Sequence, residues 1–315
     1  MVMIMDLIEK LEPIIIIIAI GIGLLLSNVP FINQNSSYLI TIFLFLMIYG
    51  LFLEIPISKL KNSYKNFNFT KTSLIINFIW TPLFGYFLGS LFFNNNLDIF
   101  IGFFMLILTP CTDWYLLFTK MAKGDVELSL SLLPINLILQ IILLPIYLII
   151  FFSTNNSLNY LDLGYSIIII IVIPFILSQI TKKVLKNPQK LADKFLKLQV
   201  IFLSIAIFGI FNSNGTILFD NINSIITIFI PLIIFFIGNF TLDLYISQRK
   251  KFSYSEYASL TMTTLARNSP LALAIAVNSF PAQELILIAL VIGPLIELPV
   301  LYIISKILLK IKTHY

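Results

Sequence analysis

Unbroken apolar runs constrain this chain more than anything else in it. "PIIIIIAIGIGLLL" (13–26) and "SIIIIIVIPFIL" (166–177) carry no charge, and stretches of this kind are read as segments that cross hydrocarbon. Of the 315 residues, 59% are hydrophobic and 11% charged, whereas a soluble domain carries charge on about a quarter of its residues. The chain is therefore expected to be an all-α polytopic membrane protein. Its first run follows Glu9, Lys10 and Glu12 rather than a basic segment with a cleavage site, which predicts a retained helix and not a signal peptide. A single cysteine excludes an intrachain disulfide, and His314 reads as a solvated tail residue. No HExxH, GxSxG, P-loop or paired metal-ligand spacing occurs, so no enzyme, cofactor or metal is expected.

Hydropathy and turn residues divide the chain into ten predicted spans: 11–27, 37–56, 72–92, 98–119, 128–152, 163–181, 198–212, 223–246, 257–279 and 284–309. The connectors 28–36, 93–97, 154–162, 213–222 and 280–283 hold no Lys or Arg. The alternate ones are basic, with Lys59, Lys61, Lys65 and Lys71, then Lys120 and Lys123, then Lys182 to Lys197, then Arg249, Lys250 and Lys251. Basic residues collect on the cytoplasmic side, which predicts a cell-membrane protein with both termini inside. Lysines placed at span ends also leave no basic face for nucleic acid.

Ten divides into two five-span repeats, 1–153 and 154–315. An odd-numbered unit, duplicated, gives halves of opposite orientation, an architecture of secondary transporters. Spans 4 and 9 correspond, and each carries a predicted break. Pro110 cannot donate to the Leu106 carbonyl, and Pro270, in "ARNSP", cannot donate to that of Ala266. Ser269 is placed to cap a new half-helix. Backbone groups freed at this depth must be buried in protein or line a wet cavity. Simple proline kinks are the alternative, but matched breaks in the two halves point to a binding site.

By these spans Cys111, Asn268 and Glu297 share one level of the membrane, with Asp113 and Arg267 within about one helical turn. Ionisable groups at that depth are functional candidates, although an Asp113–Arg267 structural salt bridge is an equally open reading. Cys111 reads either as a small packing residue or as a soft ligand. Asn77, Asn136, Gln140 and Asn239 lie inside spans 3, 5 and 8, where a bond to a neighbouring helix is one reading for each and the expected role of Asn239. Asp243 and Glu54, nearer span ends, are expected to be hydrated.

Several motifs resemble the bile acid:sodium symporter superfamily. "PCTDWYLLFTKMAKGDVELSLSL" (110–132) resembles its helix 4–5 segment, and "RNSPLALAIA" (267–276) its helix 9 crossover. "PCT", "NFIWTPL" (77–83) and "GPLIELPVLY" (293–302) are most similar to the arsenite permease branch. The resemblance implies a panel of helices 1, 2, 6 and 7 and a core of helices 3–5 and 8–10, with broken helices 4 and 9 crossing in the core. It makes Cys111 an essential thiol and Glu297 a coupling acid. Where sodium-coupled members hold their ions, this chain has Tyr115, Leu116, Thr263 and Arg267, which argues against sodium at those sites.

The leading expectation is a secondary transporter exporting arsenite or antimonite, driven by protons or membrane potential, with Cys111, Thr112, Asp113, Arg267, Asn268 and Ser269 at the substrate. Glu297 or Asp113 would carry protons, and Asn77, Asn136 and Gln140 would support the site. The alternative is a small-organic-anion transporter, not sodium-coupled at the usual sites, in which Arg267 and half-helix N-termini grip the anion. Its expected partners are the lipid bilayer and a small inorganic or organic substrate, with the protein a monomer or homodimer.

Overall fold

The computed structural model describes residues 2–27, 29–54, 66–112, 114–152, 164, 168–280 and 283–313. In chain order these form α1 (Val2–Leu25), α2 (Pro30–Glu54), α3 (Phe67–Ile75), a π turn (Ile76–Trp80), α4 (Thr81–Phe92), α5 (Leu97–Leu108), α6 (Trp114–Met121) and α7 (Val126–Phe152). A second π turn (Ile168–Val172) then leads into α8 (Ile173–Val184), α9 (Pro188–Asp220), α10 (Ile222–Ile226), α11 (Phe229–Lys250), α12 (Tyr254–Leu265), α13 (Ser269–Ser279) and α14 (Glu284–Ile311). Among the described residues six helices are long and apolar enough to cross a membrane, starting at Pro30, Phe67, Val126, Pro188, Phe229 and Glu284. Leu97–Leu108 and Ser269–Ser279 are shorter apolar helices, because each is cut off at the proline region of its span.

Local signals set several ends. Asn66 and Asn96 cap α3 and α5, their side chains accepting from Phe69 N–H and Ile99 N–H. Ser253 and Glu256 form a reciprocal capping box on α12. α9 extends well before the predicted start of span 7 at 198. Its Lys-, Leu- and Ala-rich opening is a good helix former, and Pro188 sits where a missing N–H costs nothing.

Contacts divide the chain into two compact units. The first comprises Met1–Ile55, Asn156–Ile225 and Pro270–Val291. In it Asn212 of α9 is a polar stitch, with Oδ1 accepting from Ser36 Oγ at 2.8 Å and the backbone carbonyl accepting from Asn33 Nδ2 at 3.0 Å. Gly23 lets α1 close on α9, since a Cβ there would lie 2.7 Å from the Phe208 carbonyl.

The second unit comprises Pro56–Asn155, Ile226–Ser269 and Ile292–Tyr315. All ten residues of α5 from Ile99 to Leu108 are buried. Glycines on its neighbours allow that. A Cβ at Gly85 or Gly89 of α4 would come within 2.0 Å of Ile107 or Phe100, and one at Gly293 of α14 within 2.3 Å of Leu106. Small residues at such contacts let membrane helices approach closely.

Candidate functional site

The second unit holds a crossing of two extended segments. α5 stops at Leu108, and Thr109 is extended at φ −100° and ψ 101°. α12 stops at Leu265, and Ala266 is extended at φ −71° and ψ 136°. Between them Pro110 and Arg267 form an antiparallel bridge. Cys111 N–H donates to the Ala266 carbonyl at 2.9 Å, and Asn268 N–H donates to the Thr109 carbonyl at 2.6 Å.

The acceptors follow from the prolines. Pro270 leaves the Ala266 carbonyl without an intrahelical donor, and Cys111 of the other segment supplies one. Pro110 does the same to Leu106, whose carbonyl accepts from Thr109 Oγ1 at 3.3 Å. Redirecting Cys111 N–H also releases the Ile107 carbonyl, which accepts from Arg267 Nη1 at 2.9 Å. The breaks thus create their own partners, as buried backbone must.

Arg267 ties the crossing together. Besides Ile107, its Nε donates to the Leu265 carbonyl at 3.3 Å and its Nη2 to Asn77 Oδ1 at 3.3 Å. The guanidinium carbon sits 5.0 Å from the Phe235 ring centroid, a cation–π distance. Its backbone N–H donates to Glu297 Oε1 at 2.7 Å. Glu297, Asp243 and Cys111 all lie within electrostatic reach of the guanidinium. Asn268 Nδ2 donates to Thr112 Oγ1 at 3.1 Å, and Thr109 Oγ1 donates to the Asn268 carbonyl at 3.0 Å.

The structure therefore brings together Cys111, Thr112, Arg267, Asn268, Glu297 and Asn77, all buried. Ser269 is buried as the first residue of α13, and Pro270 follows it, half-buried. Asp113, the expected salt-bridge partner and second proton carrier, lies outside the described residues. Asn77 stands on the π turn Ile76–Trp80, an irregularity frequent at functional sites. Among the described residues no three His, Cys, Asp or Glu side chains gather to hold a metal.

The remaining polar residues fall into three groups. Asn136 and Gln140, one turn apart on α7, are 0% and 1% exposed. Neither side-chain amide nitrogen or oxygen of either residue has a hydrogen-bond partner among the described residues, so among these they bond no neighbouring helix. Asn239 does: its Oδ1 accepts from Trp80 Nε1 at 2.9 Å and its Nδ2 donates to the Thr264 carbonyl at 3.3 Å. Asp243, expected to be hydrated near a span end, is instead fully buried, its Oδ2 accepting from Thr264 Oγ1 at 2.5 Å. Its spacing was the missed signal. Asn239, Asp243 and Ser247 recur every four residues, which puts them on one face of α11.

A profile of the Sodium Bile acid symporter family matches residues 41–221. The chain belongs to this family. Two relatives are arsenical-resistance proteins Acr3, from Corynebacterium glutamicum and Alkaliphilus metalliredigens, each 26% identical to this chain. The first alignment covers 93% of this chain and 86% of the relative, the second 93% and 88%. An uncharacterised transporter of Synechocystis sp. strain PCC 6803 is 24% identical over 94% of this chain and 85% of its own length. Family membership and the long apolar helices make this symporter-family chain a multi-pass membrane transporter.

Proposed function

We propose that this transporter is an efflux permease for arsenite and antimonite, in the plasma membrane, with ten spans in two inverted repeats and both termini cytoplasmic. The observation that carries the reading is the place of Cys111, the one thiol of the chain, on the crossing strand beside Arg267 and one residue from Thr112. Relatives that bear the arsenical-resistance name support it.

Near neutral pH arsenite is an uncharged trihydroxide with a soft centre. The Cys111 sulfur replaces one hydroxyl, the thiol proton leaves with that hydroxyl as water, and arsenic keeps its oxidation state. One sulfur bond is reversible, whereas three would trap the substrate. The remaining hydroxyls need partners in a site without bulk water, and the unpartnered amides of Asn136 and Gln140 offer both donors and acceptors. Proton gradient or membrane potential drives export by rocking the panel helices against the core helices.

The organic-anion reading needs an open guanidinium, but three of the five Arg267 N–H donors are engaged within the protein. Arg267 therefore serves as the pin of the crossing rather than as an anion clamp. The deciding experiment measures arsenite uptake into inverted vesicles. Cys111→Ser reduces uptake to background, and full uptake by that variant refutes the thiol mechanism. An anion whose binding is lost in Arg267→Gln but kept in Cys111→Ser supports the alternative.

A further inference from the structure

The crossing holds one fixed cation and two buried carboxyls, and the second carboxyl was not foreseen as part of it. Asp243 and Glu297 both act electrostatically on the Arg267 guanidinium. If both carboxyls were ionised the cluster would carry an unmatched negative charge in a dry interior, which is strongly unfavourable. Electroneutrality therefore places one proton on the pair.

Geometry separates the two acids. Glu297 accepts the Arg267 backbone N–H at 2.7 Å, a charge-assisted bond to a donor fixed by the crossing strand. Asp243 receives the Thr264 hydroxyl on Oδ2, and its Oδ1 has no partner among the described residues. Each carboxyl accepts one hydrogen bond among the described residues, and Asp243, with a buried oxygen that has no donor, is the one that keeps the proton.

The other charged and titratable groups around Asp243 do not alter that balance. α12 presents Thr264, with Arg267 past its end, and Tyr257, whose ring packs on Phe240 at 6.4 Å. Glu256, at the opposite end of α12, is bonded to Asn66 and Ser253. Residues 76–92 contain no charged side chain and Lys71 of α3 is exposed. α14 contributes Glu297.

Polar groups continue along the same face of α11 toward the helix end. Ser247 lies one turn beyond Asp243 on the same face, fully buried, and its Oγ has no partner among the described residues. One turn further, Lys250 reaches Thr72 Oγ1 at 2.7 Å and Asn68 Oδ1 at 3.3 Å, at an exposed helix end.

We propose that Asp243 holds the exchangeable proton of the crossing, with Ser247 on its path to water and Glu297 held as the ionised counter-charge of Arg267. Resting on the transport reading, this makes Asp243 the residue that couples arsenite export to the proton gradient.

Infrared spectroscopy of the lipid-reconstituted protein locates the proton without any substrate. The deuterium-sensitive C=O band of a buried protonated carboxyl shifts when the aspartate side-chain carboxyls carry a heavy-carbon label, stays in place when the glutamate carboxyls carry it, and disappears in Asp243→Asn. The reverse pattern, or no change in Asp243→Asn, overturns the assignment. In proteoliposomes Asp243→Asn keeps arsenite exchange at equal concentrations within about twofold, loses accumulation driven by an imposed pH gradient, and regains it in Asp243→Glu. Gradient-driven accumulation undiminished in Asp243→Asn defeats the coupling role. So does loss of exchange and accumulation together, in Asp243→Asn and Asp243→Glu alike, since that marks a merely structural residue. Wild-type vesicles inert to arsenite count against the substrate reading, while the infrared result still decides where the proton resides.

Discussion

Two buried polar groups of the second unit contrast sharply. At the crossing, backbone released by the prolines and the Arg267 guanidinium are bonded to one another across the break. On α7, Asn136 and Gln140 are as deeply buried, yet their amides find no partner among the described residues. Satisfied polar groups rigidify a core, whereas orphaned ones cost stability and persist where they do something else. The first region is built to hold the shape of the site. The second is open to a partner that the described residues do not supply.

Opposite signs on substitution test that contrast. The largest effect is expected for Arg267→Met, which removes three side-chain hydrogen bonds and leaves the buried carboxyls without their cation. A loss of about 3–5 kcal/mol is expected, read as a lower unfolding midpoint in detergent. A midpoint close to wild type would mean that the crossing does not depend on this pin.

The reverse holds on α7. Asn136→Leu and Gln140→Met replace orphaned amides with apolar groups of similar volume and should stabilise by about 1–3 kcal/mol each. The same variants lose transport if the amides contact substrate. A drop in midpoint would show instead that the amides are bonded in the folded membrane protein.

Thr109→Val should cost about 1 kcal/mol, because a hydroxyl bridging the Leu106 and Asn268 carbonyls is lost. Cys111→Ser should have the smallest effect on the midpoint, within about 0.5 kcal/mol, since serine is close in size and keeps the backbone N–H that bonds the Ala266 carbonyl. Its effect on arsenite transport should nonetheless be complete. Equal losses of stability and transport in that variant would make the thiol a packing residue.

Much of this was legible in one dimension. The apolar runs dictated a helical membrane protein, because lipid offers backbone groups no other partner. Pro110 and Pro270 announced where helices end, because a residue without an N–H strands the carbonyl four positions earlier. Less visible was what those carbonyls would find. That Ala266 takes the N–H of Cys111, and Ile107 the guanidinium of Arg267, depends on two segments about 160 positions apart lying antiparallel. Asp243 was misread for a similar reason. Position along a helix suggested hydration, but burial is decided by which face its neighbours cover. The π turn under Asn77 carried no pattern at all.

Composition and prolines thus determined, by themselves, the class of molecule and the places where its helices stop. Tertiary structure alone decided which polar groups are satisfied and which are left open, because hydrogen bonding at buried depth is a property of pairs brought together in space.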